Sequence, residues 1–258
     1  MSGAVAIWHD IAPEGIAEFY SWHGEEHMPE RVSIPGFNCG RRFIARQADL
    51  QFFNLYETQS PEVVRSSDYK SRLDNPTPRT LSAVRHFRNV ARSLCRVLVK
   101  HEVGESGVGQ GGLIATLRYD IGEVEEASHL DIFQKTIVPA ITGSKGICSV
   151  RLLVADRVAS GYVNAEQRAR GAANLVPPIV LMVEGWADED NFAKLLKNNL
   201  APQTLAQHGL TGSSTLGIYA HQLTILRIPY RNFSVVFIKR YLCDTVSTVL
   251  LQALGLSS

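Results

Sequence analysis

The chain has 258 residues, 45% of them apolar, and carries 26 basic against 25 acidic side chains with no long run of either sign. That length can bury one large core or two modest ones. The near-neutral balance lacks the basic stripe of a nucleic-acid binder, and no run of about 18 apolar residues suggests a membrane span.

In chain order, Ala4–His9 reads as a strand, and Pro13 suits the first turn of a helix that runs toward Glu30. Pro35-Gly36 is a turn, and Arg41–Arg46 with Phe52–Glu57 forms a predicted hairpin. A second helix is expected over Pro61–Leu73, ended by Asn75-Pro76, and a last strand within Ala91–His101. The pattern then recurs: Leu113–Tyr119, Ser128–Ile141, Ile147–Val154, Ile179–Glu184, Asp190–His208 and Thr215–Leu226.

The recurrence is an internal repeat. At an offset of 110 residues Asp10-Ile11 falls on Asp120-Ile121, Pro29 on Pro139, Gly36 on Gly146, Arg41 on Arg151 and Ala45 on Ala155. The copies realign at Tyr56-Glu57 over Val183-Glu184, after a polar insertion at 160–174 in copy two. Each copy reads β-α-β-β-α-β, the split βαβ or ferredoxin-like unit. Helices on one face of such a sheet leave the other bare. The expected fold is therefore α+β, two tandem ferredoxin-like units packed sheet to sheet as an α/β barrel within one chain.

The units are assigned to 1–103 and 113–226, with a Gly-rich linker at 104–112. Gly107–Gly112 matches GxGxxG literally, but a strand pattern follows instead of the helix that a dinucleotide needs, so it reads as linker. Residues 227–258 match nothing in copy one and form a C-terminal extension. The four cysteines, Cys39, Cys95, Cys148 and Cys243, make no CxxC pair and read as reduced thiols. With no basic n-region ahead of the first strand, a cytoplasmic location is expected.

Chemistry concentrates on the first helix, where Ile16, Phe19, Tyr20, His23 and His27 share a face, flanked by Trp22 and Glu26. Under the repeat, His23 becomes Phe133, Glu26 becomes Thr136, His27 becomes Ile137 and His9 becomes Tyr119. Copy one thus keeps ionisable groups where copy two has mainly apolar packing. Either a polar pocket or a set of satisfied core histidines answers for that. His23–His27 also matches HxxEH, a zinc signature. No third ligand is signalled, and no metal is expected.

The segment SWHGEEHMPERVSIPGF, with Trp22, Glu26-His27, Pro29 and Pro35-Gly36, resembles the helix-and-turn motif of EthD-domain proteins in the dimeric α/β-barrel superfamily. The resemblance implies that His27 is the key pocket residue, moving a proton on a small organic substrate. Glu26 or His23 would orient it or act as a second acid or base, and His9 would reach the same pocket from its strand. Arg42 or Arg41 would hold a carboxylate, phenolate or enolate, although the counterpart Arg151 also makes Arg41 a candidate for a structural ion pair. Trp22 and Tyr56 would form an aromatic wall. The chain departs from the pattern as a tandem fusion with an extra His23 and a second copy lacking the histidine.

The reading leans to a cofactor-independent isomerase, cyclase, dehydratase or decarboxylase acting on an aromatic or polyketide-like compound. A non-catalytic ligand-binding or accessory protein of a catabolic or stress pathway is the alternative, with a haem- or metal-dependent member as a minor one. The expected partner is a small organic substrate, without nucleic acid or membrane, and a homodimer stays open.

Overall fold

The computed structural model describes residues 2–102, 109–121, 126–208, 210 and 212–228. Residues 1–227 form one compact unit, and a second begins at Ile228. Of the expected linker, residues 104–108 lie outside the described residues, as do 229–258 of the C-terminal extension, Cys243 among them.

The described residues form eight strands: β1 (Gly3–Ile11), β2 (Phe37–Gln47), β3 (Phe52–Thr58), β4 (Phe87–Glu102), β5 (Leu113–Tyr119), β6 (Ile147–Ala155), β7 (Ile179–Gly185) and β8 (Ser214–Leu226). They close a barrel in the order β1-β3-β2-β8-β5-β7-β6-β4, with every pair antiparallel. Within each half the order is that of the split βαβ unit. The halves join at two seams, β2 to β8 and β4 to β6, so their edge strands are paired rather than left open. The sequence-derived α+β barrel is the observed fold.

Period-2 alternation divides each strand between two faces. Ala4, Ala6, Trp8, Phe43, Phe53, Leu55, Ile114, Leu153, Met182 and Tyr219 pack together inside the barrel. The outer face lies under helices: α1 (Ile16–Trp22), α2 (Met28–Ser33), α3 (Ser67–Asp74) and α4 (Pro78–Ala83) in the first half, and α5 (Glu126–Ile132), α6 (Val138–Thr142), α7 (Arg157–Ser160), α8 (Ala165–Arg170), α9 (Glu189–Leu200) and α10 (Pro202–Gln207) in the second. Among the described residues no helix is long and apolar enough to cross a membrane.

Several elements differ from expectation. The helix expected from Pro13 to Glu30 is a 3-10 turn at Pro13–Gly15, then α1, a π turn at His23–His27, and α2. A π turn recurs at Phe133–Ile137, the same repeat position, so it belongs to the shared architecture. The stretch Pro61–Leu73 splits where Ser66 leaves the 3-10 turn and caps α3 by accepting from Tyr69 N–H. α4 was not expected; Thr77 caps it and Pro78 opens it, just past the stop at Asn75-Pro76. α7, capped by Asp156, leads into the polar insertion, which itself carries α8, capped by Asn164. Both PG/KG turns use a glycine at positive φ, 88° at Gly36 and 93° at Gly146, a conformation costly for a side chain with a Cβ.

Inside the barrel one polar cluster interrupts the apolar packing. Arg41 donates two hydrogen bonds to Glu184, at 2.9 and 2.8 Å, and Arg151 donates to the same carboxylate at 2.9 Å. Glu57 lies 3.8 Å from Arg41 and 3.9 Å from Arg151, and Glu102 accepts from Arg151 at 3.1 Å. Arg41, Arg151 and Glu184 are 1–2% exposed, so the charges depend on each other. Removing one partner of such a buried pair costs on the order of 3–5 kcal/mol. Glu184→Gln should therefore lower the unfolding free energy by about that amount, with unchanged secondary structure. Urea denaturation followed by circular dichroism checks it, and a change of less than about 1 kcal/mol would contradict the assigned role.

Candidate functional site

The π turn sets the two helix histidines over the sheet. His23 and His27 are both buried, 2% and 9% exposed, with their rings 5.6 Å apart and 26° from parallel. The guanidinium of Arg42 lies 3.3 Å from Nδ1 of His23. Because a guanidinium only donates, Nδ1 accepts and the ring proton sits on Nε2. Nε2 then faces the Tyr56 hydroxyl at 3.4 Å. Arg42 is held in turn by Gln222, at 2.6 Å, and by the faces of Tyr20 and Phe19.

His27 is different. Its ring packs against Trp22, with centroids 4.3 Å apart, and its Nδ1 is buried with no hydrogen-bond partner. Leaving such an atom unpaired costs roughly 1–3 kcal/mol. Trp22 is pinned by its own indole N–H, which donates to Thr80 Oγ1 at 3.1 Å. His27, Trp22 and Tyr56 line a cavity of about 80 Å³, together with Val5 and Ile7 of β1, Arg92 of β4 and Arg31 of α2.

The roof comes from the other half of the chain. Asn164, Glu166 and Arg170 of the copy-two insertion line the same cavity. α8 is tethered by an ion pair between Glu166 and Arg31, and by Asp74, which accepts from Ala165 N–H at 3.1 Å and from the Tyr162 hydroxyl.

Of the eight residues singled out in the sequence, His27, Trp22 and Tyr56 line this cavity, and His23 adjoins it through Tyr56 and His27. His9 lies behind it at 0% exposure, among Phe19, Phe52 and Phe87, and accepts from Asn54 at 2.8 Å. Arg42 stands behind His23. Two residues lie elsewhere. Glu26 turns outward, where it accepts from Thr77 at 2.5 Å and pairs with Arg79, so it does not orient His27. Arg41 points into the barrel and is occupied by Glu184, so it is not a substrate ligand.

Arg31, Arg92, Glu166 and Arg170 were not singled out. Arg31 is four residues past His27 on the same face, a signal the spacing carried. Nothing in the spacing tells that an insertion in copy two covers copy one.

Copy two fills the corresponding space. Phe133 and Ile137 are buried at the places of His23 and His27. One correction applies to its apolar character: His129, at the position of Phe19, is 0% exposed and meets the Tyr119 hydroxyl at 2.8 Å. The imidazole–ring contact of His9 with Phe19 thus reappears with its members exchanged between strand and helix.

Electrostatically the histidines are neutral. Burial lowers His23 and His27 well below the usual 6.5, helped by the positive charges of Arg42 for His23 and Arg31 for His27. Burial takes His9 down to about 3. Burial also raises Tyr56, which keeps its proton. Among the described residues no group of three His, Cys, Asp or Glu side chains is placed to hold a metal ion.

No family model matches the sequence, and no curated protein matches it at a significant level. Solved structures do match. An anthrone oxidase-like protein superposes with a TM-score of 0.57 at 12% identity, covering 90% of this chain and 95% of its own. The likeness shows a shared ferredoxin-like α+β barrel fold. A Fusobacterium nucleatum protein assigned as a monooxygenase gives 0.50 at 9% identity, covering 90% and 99%. A protein assigned as a chlorite dismutase gives 0.50 at 8%, covering 86% and 96%. At such identities the likeness concerns the fold alone.

The buried neutral histidines carry a pH consequence. His9 titrates near 3 when folded and near 6.5 when unfolded, so between these values the unfolded chain binds more protons. Its contribution to stability is complete above about pH 6.5 and is lost as the pH falls toward 3. His9→Tyr, the residue found in copy two, should flatten that dependence. Urea midpoints measured at pH 7, 5 and 4 for both proteins check this, and parallel curves would contradict it.

Proposed function

We propose that the chain is a small-molecule enzyme of EthD-like type in which His27 moves a proton on an organic substrate. The observation that carries this reading is the unpartnered, buried Nδ1 of His27 beside a partly open cavity. The repeat adds support, because Ile137 fills that position in copy two.

The surroundings suit such a step. At neutral pH the imidazole is in its proton-accepting form. Its low basicity restricts it to acidic protons, such as a phenol or a carbon beside a carbonyl. The proton passes from substrate to the imidazole, and the bonding pair left behind forms an enolate or phenolate. Tyr56, which stays protonated, can donate its hydroxyl hydrogen to that oxygen, while His23 Nε2–H and Arg42 fix its place. Return of the proton to another atom completes an isomerisation; loss of hydroxide elsewhere on the substrate completes a dehydration.

The cavity bears on substrate size. Benzene occupies a site of about 150 Å³, so an aromatic or polyketide-like compound would extend beyond this cavity of about 80 Å³ through its open side. The weakly basic imidazole also favours a second reading, a ligand-binding protein without turnover.

His27→Gln separates the two. On a cognate compound found by thermal-shift screening, the variant should keep binding within a few-fold while kcat falls by roughly 10²–10⁴. Unchanged kcat would remove the acid–base reading, and binding without turnover in the unaltered protein would establish the second.

A further inference from the structure

The cavity has an imbalance of charge that the acid–base reading leaves unused. Its lining carries three guanidinium groups, those of Arg31, Arg92 and Arg170, and one carboxylate, that of Glu166. Glu166 is committed to Arg31. Arg92 is 7% exposed and, among the described residues, its side-chain partner is the Tyr69 hydroxyl, at 2.8 Å. Arg170 is half-buried, donates to the carbonyl of Ala172 at 2.8 Å and to Asn174 at 2.6 Å, and leaves its buried Nε without a partner. Neither Arg92 nor Arg170 forms an ion pair among the described residues. Buried guanidinium groups are ordinarily paired, and the neighbouring histidines, being neutral, supply no negative charge.

We propose that Arg92 and Arg170 form an anion seat inside the His27 cavity, and that the ligand taken there is an organic carboxylate with its head between the two guanidinium groups.

This rests on the His27 cavity being the ligand site and names the class of compound that fits it. Two donors lining one cavity from different elements, β4 and α8, suit the two oxygens of a carboxylate. The cations influence each other: burial and the charge of Arg92 both depress Arg170, and the carboxylate of Glu166 offsets them only in part. Arg170 also borders an outer cleft of about 590 Å³ that contains Arg85 and Arg88. Among the described residues the Arg88 guanidinium donates to the carbonyls of Arg85 and Phe87. The cleft would draw an anion toward Arg170 before it enters. A seated carboxylate would also raise the basicity of His27, making the imidazole a better proton acceptor when substrate is present than in the empty cavity.

The test uses the full chain at constant ionic strength with acetate, which suits the small chamber, and acetamide, its neutral isostere. Binding is read from the ¹⁵N and ¹³C resonances of the labelled His27 ring, assigned by their loss in His27→Gln. Acetate should shift these signals saturably and acetamide should not. Arg92→Met and Arg170→Met should each weaken acetate binding by roughly tenfold or more, the factor for one charge-assisted hydrogen bond. Equal response to acid and amide, or no response to acetate, overturns the seat even if neither variant folds; so does acetate binding that both variants retain. If acetate seats as expected but His27→Gln leaves turnover intact, the acid–base reading fails while the seat stands. If turnover by His27 is found only on substrates lacking an acid group, the seat fails alone.

Discussion

The bidentate contact between Arg41 and Glu184 couples the two halves of this chain inside the barrel. One residue comes from β2 of the first half and the other from β7 of the second, and both are withdrawn from water. In that medium each charge has few alternatives, so the pair is satisfied only when the two sheets close in one register. The repeat doubles the constraint, because Arg151 and Glu57 are the counterparts of Arg41 and Glu184 and belong to the same cluster. The closed barrel in turn fixes the outer face of β1, β3 and β4, on which the histidine cavity rests.

Much of this was legible from residue order. The offset of 110 residues between copies, with the strand and helix patterns, was enough for the paired βαβ units, because hydrophobic periodicity acts locally and repeats with the chain. His23, His27, Trp22 and Tyr56 were also accessible, since helical spacing and hairpin register are local geometry. Glu26 was misassigned because a helix places it near the histidine stripe but says nothing of Thr77, which draws its carboxylate outward. Arg41 was ambiguous for the same reason: its partner lies 143 positions away. The α8 roof was beyond reach, since its position depends on how the halves close and not on any pattern within the insertion.

Comparing the copies also refines what the second half retains. Its space beneath the leading helix is filled by Phe133 and Ile137, yet His129 and Tyr119 keep a buried polar contact there. An imidazole paired with an aromatic ring therefore occurs in both halves, and the first adds His27 at a cavity with His23 beside it. The widened π turn, present in both, cannot by itself account for the difference.

That α8 belongs to one copy and covers the cavity of the other has an implication for symmetry. In a dimer of identical subunits any such arm would appear twice, and a change that improved one chamber would be imposed on both. Tandem fusion lifts that coupling. Asn164, Glu166 and Arg170 can vary over the first half without altering what lies beneath the leading helix of the second. The expected stoichiometry at this chamber is one molecule per polypeptide, with the twin half serving as scaffold and cover.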